Sequence, residues 1–181
     1  MTNENQLPSL TSLPYISYID DHGNLPDSLQ GKIGVYAIFN QEKILQFIGY
    51  SRDIYLSLRQ HLVRQPQRCY WVKIHTIERP NRTILENIEQ AWIAENGSLP
   101  VGNGEQKVTW TQPIDVKTVM TPEEQENYQN PVHDEVKQIN ILKNIARRVE
   151  AEILAALELR GLKTQIRFNP KLKETGLLDV K

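Results

Sequence analysis

Ile33-Gly34-Val35-Tyr36-Ala37-Ile38-Phe39, followed after Asn40-Gln41-Glu42 by Lys43-Ile44-Leu45-Gln46-Phe47-Ile48-Gly49, is the stretch on which the fold turns. Both runs are rich in β-branched and aromatic residues, and three polar residues separate them, a spacing that suits an antiparallel hairpin. Side chains alternate across a strand, so Val35, Ala37 and Phe39 share one face while Tyr36 and Ile38 share the other. Apolar groups on both faces require a cover on both, and helices on either side supply it.

Working outward, Ser51 or Asp53 caps a helix whose stripe is Ile54, Tyr55, Leu58 and Leu62 and which ends before Pro66. Residues 69–75 read as a third strand. Residues 81–95 read as a second helix with Ile84, Ile88, Ala91 and Trp92 turned inward and Gly97 as its stop. Residues 98–120 are punctuated by Gly, Pro and Asn and predict an ordered loop with a short strand near Val108-Thr109-Trp110. Thr121-Pro122-Glu123-Glu124 has the form of a capping box with proline at the first helical position, so a short helix starts there.

The strongest periodic signal is in residues 131–160, where Val132, Val136, Ile139, Leu142, Ile145, Val149, Ile153 and Leu157 recur in steps of three and four before Gly161. Such a stripe serves either to pack on the sheet domain or to hold a partner, a second copy of the chain included. Residues 164–168 suggest an edge strand ahead of a basic tail. The fold class expected is α+β: a small antiparallel sheet of about three strands flanked by helices, with a long C-terminal amphipathic helix. Residues 1–30, rich in Pro, Asn, Ser and Asp, read as an N-terminal arm ordered only around 15–19. Residues 31–120 form the sheet domain, and 121–181 a helical extension packing on it.

Composition narrows the function classes. No stretch approaches the ~20 apolar residues of a membrane helix, and the polar start, Met1-Thr2-Asn3-Glu4-Asn5-Gln6, lacks a secretion signal, so a cytoplasmic location is expected. A single cysteine, Cys69, excludes an internal disulfide and a cysteine-based metal cluster. No Gly-x-Ser-x-Gly elbow is present, which argues against serine hydrolysis. The net charge of −1 conceals an uneven distribution: residues 31–82 carry nine Lys or Arg against three acids, and residues 83–130 two against eight. The hairpin half is therefore the one suited to a phosphate-bearing ligand.

The order hairpin, helix, strand, helix, together with Gly34-Val35-Tyr36, Phe47-Ile48-Gly49, Ser51-Arg52-Asp53, Glu89 and Asn103, resembles the GIY-YIG nuclease superfamily over about residues 31–104. The resemblance implies a GIY-YIG-like fold and Mg²⁺-dependent hydrolysis of DNA phosphodiesters. Tyr36 matches the first motif tyrosine, Gly49 the glycine of the second motif, Glu89 the metal-binding glutamate, and Pro100 with Asn103 the trailing polar region. Gly49, Tyr50 and Asn103 are the expected substrate-binding positions. Two residues depart from the pattern. Phe47 stands where the family has its second tyrosine, and Ser57 where it has an arginine.

Arg52, before the helix, and His61, one turn beyond Ser57, are the residues expected to cover for the arginine, so the catalytic set is Tyr36, Glu89, His61 and Arg52 with Glu89 as metal ligand. A similar variant, with Gly-Val-Tyr, Phe-x-Gly, Ser-Arg and His-Leu in series, occurs in plant plastid proteins that join a GIY-YIG-like domain to a monothiol glutaredoxin, which implies a cyanobacterial or plastid-related branch. Two functions are open: a nuclease with a degenerate site, or a non-catalytic module. The module would hold DNA through the basic half, or a protein partner or second copy through residues 131–160.

Overall fold

The computed structural model describes residues 7–181. The chain divides into two compact units, the first ending at Thr111 and the second being Gln112–Lys181. In the first unit, β1 (Ile16–Ser17), β2 (Ile33–Phe39), β3 (Leu45–Ser51) and β4 (Trp71–Ile77) make an antiparallel sheet in the order β1-β4-β2-β3. The expected hairpin is β2–β3, in register from Gly34 opposite Ser51, with an irregularity between Ile38 and Phe39. The third expected strand is β4, two residues further along than the sequence suggests, and β1 adds a fourth.

Helix α1 (Ile54–Arg64) is capped by Asp53, whose carboxylate accepts from the Leu56 N–H, and it buries all four residues of its expected stripe. Helix α2 (Arg82–Asn96) starts at the Asn81 cap and stops at Gly97, whose φ of 80° is the left-handed terminus that glycine adopts without strain. Its inward face is Leu85, Ile88 and Trp92. Ile84, expected inside, is 43% exposed, because the face that meets the sheet is centred one residue later.

The two faces of β2 are covered as alternation requires. Val35, Ala37, Phe39 and Ile48 pack with Leu85, Ile88 and Trp92 of α2 and with Leu10. On the other face Tyr36 reaches α1, where its hydroxyl meets His61. Residues 98–111 hold no strand. A 3₁₀ turn (Val101–Asn103) and a short helix, α3 (Lys107–Thr111), occupy this stretch, and the helical turn carries Trp110 to full burial.

Residues 7–30 differ from the expected arm. Leu10 joins the core, the Trp92 indole donates to the Pro8 carbonyl at 2.9 Å, and Glu95 accepts from the Leu10 N–H at 2.6 Å. Tyr18 is wholly buried and donates its hydroxyl to the Leu58 carbonyl. Short apolar runs such as Leu10 and Tyr18 concealed this, because each fills one hole rather than making a periodic face. The first six residues of the expected arm lie outside the described residues.

In the second unit, β5 (Ile114–Asp115) pairs with β6 (Leu177–Leu178), and α4 (Pro122–Gln129) carries the capping box of Thr121 and Glu124. Helix α5 (Glu135–Leu159) buries Ile141, Leu142, Ile145, Ala146, Val149, Ile153 and Leu157. Val132 precedes the Asp134 cap and Val136 is in the first turn, so both stay exposed and the working stripe is shorter than the sequence suggests. Residues 164–168 form only an isolated bridge, Phe168 to Val180, instead of a strand. Arg148 ties the unit together, bonding Glu124 at 2.6 Å and Glu152 at 2.8 Å. Among the described residues, no helix is long and apolar enough to cross a membrane.

A Cβ on Gly34 would fall 2.2 Å from the His75 carbonyl oxygen and 2.9 Å from the Thr76 Cα, both backbone atoms of the neighbouring strand. Gly34→Ala is expected to force β2 from β4 and cost about 1–3 kcal/mol. All three tryptophans, Trp71, Trp92 and Trp110, belong to the first unit. Urea unfolding followed by their fluorescence should therefore show the loss directly.

Candidate functional site

Gly49 faces Tyr36 across the β2–β3 ladder. A Cβ at Gly49 would lie 2.6 Å from a Phe47 ring carbon and 2.8 Å from the Tyr36 hydroxyl oxygen, so its missing side chain is what lets these rings meet over β3. Phe47 stacks on Trp110 with centroids 5.6 Å apart and planes 4° from parallel, and its ring is 4.6 Å from that of His61. The rings of Tyr36, Phe47 and His61 floor an open cavity of about 460 Å³, with Trp110 packed behind Phe47.

The polar wall comes from three stretches. From α1 come Ser57, Gln60, His61 and Arg64; from α2 come Glu89 and Gln90; from α3 and the 3₁₀ turn before it come Lys107 and Asn103. Residues 57, 61 and 64 are spaced four and three apart, which sets them on one face of the helix. The structure thus brings Tyr36, Gly49, Tyr50, His61, Glu89 and Asn103 to one cavity. Arg52 is the exception. It lines a neighbouring hollow with Ser51, Asn81 and Arg82, because it precedes α1 and does not share the face of Ser57.

Tyr36 and His61 form the buried polar pair of the floor. Tyr36 Oη is 2.8 Å from His61 Nε2, and the two residues are 3% and 4% exposed. Burial, with Glu89 adding to it, raises the phenol well above its ordinary range, while Ser57 and Arg64 pull the other way. Burial, reinforced by the Arg64 guanidinium, lowers the His61 imidazole to about 3, against a weaker upward pull from the Trp110 carbonyl. The histidine is therefore neutral at physiological pH. Nδ1 closes no hydrogen bond of good geometry, yet the carbonyl near it favours an N–H there over a lone pair, which leaves Nε2 to accept from the phenol O–H.

Among the described residues, Glu89 is the one carboxylate on the cavity wall. Half-buried, it is raised above the usual carboxylate range by burial first and by the neighbouring Glu86 second, with Lys107 opposing. Among the described residues, no three His, Cys, Asp or Glu side chains gather into a metal cage. A hard cation here would rest on Glu89, with water and ligand oxygens in the open volume.

Asn103 has a structural role. Its Oδ1 accepts from the Ile48 N–H at 2.8 Å and its Nδ2 donates to the Ile48 carbonyl at 2.7 Å. Strand β3 is at the sheet edge, so this amide takes the place of a missing strand and pins the loop to it. Tyr50, from the same strand, donates its hydroxyl to Glu86 at 3.2 Å and so turns it away from Tyr36. Two cations were missed from the sequence. Arg64, which donates to the Trp110 carbonyl at 3.2 Å, is seven residues beyond Ser57, and at about 3.6 residues per turn that spacing was legible as the same helix face. Lys107 had no such signal, since the five-residue α3 is too short to show a periodicity.

No family model matches the chain. Over 81 residues it is 37% identical to Bifunctional monothiol glutaredoxin-S16, chloroplastic, of Arabidopsis thaliana, a match covering 42% of this chain and 28% of that protein. The likeness is partial. This chain spans less than a third of the relative's length.

The depressed His61 has a consequence for stability. Between pH 6.5 and about 3 the unfolded chain takes up a proton at residue 61 that the folded chain refuses, so stability falls as acid is added. The slope from this residue approaches about 1.4 kcal/mol per pH unit. Urea midpoints measured across that window should show a component that His61→Gln removes. An imidazole NMR signal titrating near 6.5 would contradict the assignment.

Proposed function

We propose that the first unit is a GIY-YIG-type phosphodiesterase module, acting on DNA with Mg²⁺, in which Arg64 occupies the role vacated at Ser57. The observation that carries this reading is the convergence of Glu89, Arg64, Lys107 and the Tyr36–His61 pair on one open cavity. The partial likeness to a plant protein named as a glutaredoxin is neutral toward it. The donor chemistry fits the ion: Mg²⁺ accepts one carboxylate and fills its remaining positions with water and phosphate oxygens. When bound, it would lower the pKa of a water and neutralise charge on the phosphate.

The chain's own residues supply the rest. Glu89 holds the cation through its carboxylate. Arg64 draws the phosphate in, and its planar guanidinium suits the charge that develops on the phosphate oxygens. Lys107, from α3, adds a second, point-like charge to the wall. Tyr36 stays protonated near neutral pH and gives its one proton to His61 Nε2, so it is not itself a base, and toward water or a ligand its fixed oxygen is an acceptor. Phe47 brings no hydroxyl to replace the family's second tyrosine, and the expected activity is correspondingly slow.

The same Phe47, packed flat on Trp110, favours one other reading: a scaffold that binds DNA without cutting it. A protein partner, or a second copy, held by residues 131–160 belongs to this reading.

Supercoiled plasmid incubated with pure protein and Mg²⁺ decides between the two. Nicking is expected, abolished in Glu89→Gln and reduced about 10²-fold or more in Arg64→Gln, the usual size for removing a charge-stabilising donor. Nicking that survives in Glu89→Gln would mean contamination. Salt-dependent binding with no nicking in the wild type selects the binding scaffold, and no binding at low salt, with a partner held through residues 131–160, selects the protein-binding form.

A further inference from the structure

Tyr50 lines two hollows at once. On one side is the Tyr36–Glu89 cavity; on the other is a second hollow, of about 370 Å³, walled by Ser51, Arg52, Pro80, Asn81, Arg82 and Leu85. The charged groups on this second wall are both cations, Arg52 and Arg82. They are not equivalent. Arg82 pairs with Glu86 at 2.7 Å, and Glu86 also receives the Tyr50 hydroxyl, so the charge of Arg82 is answered locally. Arg52 has no ion pair or hydrogen bond from its side chain among the described residues.

The position of Arg52 is nevertheless fixed by its neighbours. Ser51 Oγ accepts from the Asp53 N–H at 3.0 Å and donates to the Asp53 carbonyl at 2.8 Å, while the Asp53 side chain caps α1. The backbone is thus tied on both sides of an exposed guanidinium that faces a hollow. Among the described residues, no side chain answers that charge.

We propose that this second hollow is a subsite for the phosphate next along the strand from the one entering the Tyr36–Glu89 cavity, with Arg52 as its ligand. The inference rests on the nucleic-acid reading above and deepens it: the ligand is a polynucleotide, not a mononucleotide or a lone phosphate ester. A single phosphate group satisfies one hollow. Only a chain with repeated charges answers both Arg64 and Arg52 across the same tyrosine. An aromatic ring set between two phosphate-binding cations is an arrangement that tracks single strands, with cations on the backbone and rings for the bases. Arg52 therefore acts in binding the flanking strand and touches no reacting atom.

The test reads binding without cleavage, using the full chain in EDTA and a labelled single-stranded DNA of about 12 nucleotides, within the usual site sizes. Anisotropy titrations at several salt concentrations give the slope of log K against log salt. Arg52→Gln is expected to reduce the magnitude of that slope by about 0.7, the signature of one lost phosphate contact on a single strand. Its affinity for a nucleoside 5′-monophosphate, which fills one hollow only, should be unchanged. Arg52→Glu should weaken the DNA further while keeping the wild-type melting temperature, since Arg52 holds nothing together.

An unchanged slope in Arg52→Gln, in a protein that binds or nicks DNA, overturns this inference and leaves the phosphodiesterase reading standing. Equal losses for the mononucleotide and the DNA overturn it too, because Arg52 would then belong to the first cavity. Absence of DNA binding by the wild type at low salt overturns both.

Discussion

Tyr36 and Gly49 lie opposite one another on neighbouring strands, and the volume that Gly49 leaves empty is filled by the Tyr36 phenol and the Phe47 ring. The rest of the cavity floor follows from that close approach. Phe47, drawn over β3, offers its flat face to Trp110, and Trp110 in turn fixes where α3 and its Lys107 stand. The Tyr36 hydroxyl, lodged beneath, is brought within reach of α1 at His61. Aromatic pairs of this kind add roughly 0.5–1.5 kcal/mol each beyond the area they bury. A methyl group at residue 49 would set several of them against one another at once.

The Tyr36–His61 pair sits at the centre of this aromatic floor, and stability alone does not account for it. Each partner has lost water, and each would cost about 1–3 kcal/mol if left without the other. Two apolar rings of the same size would fill the space without that exposure to loss. Burial also removes the charged states: the phenol is held protonated and the imidazole neutral. What remains is an uncharged pair beside a solvent-open volume, its phenol oxygen held in place with lone pairs left to accept from a water or a ligand's hydroxyl. It is poorly suited to taking up a proton.

How much of this the sequence disclosed depends on whether a residue belonged to a repeating pattern. Strand alternation placed Tyr36 opposite Val35, and the stripe of α1 was legible to its last member, Leu62, because both are periodic. Glu89 and Asn103 were legible only through motif spacing. The role of Asn103 was not, because an amide that completes an edge strand leaves no local trace. Arg52 was misplaced for a geometric reason: its place just ahead of α1 suggested that it could cover for the arginine missing at Ser57, whereas the turn into α1 sends it to the next hollow. Arg64 was missed although helical periodicity pointed to it. The N-terminal segment was underrated because Leu10 and Tyr18 are single plugs, whose burial depends on holes made by residues as distant as Trp92 and Leu58.

The charges around the cavity also bear on the order in which ligands would enter it. With His61 neutral, the ionisable groups on the wall at neutral pH are Arg64 and Lys107 against Glu89 alone. A divalent cation arriving first meets two like charges and a single, partly desolvated carboxylate whose affinity for protons is already raised. A phosphate arriving first meets a cationic wall, and its own oxygens then provide the further hard ligands that one carboxylate cannot. On the phosphodiesterase reading, metal and nucleic acid therefore bind as a cooperative pair, each supplying the charge the other lacks. A site with several carboxylates would hold its ion ready beforehand; on that reading, this one would assemble it on the substrate.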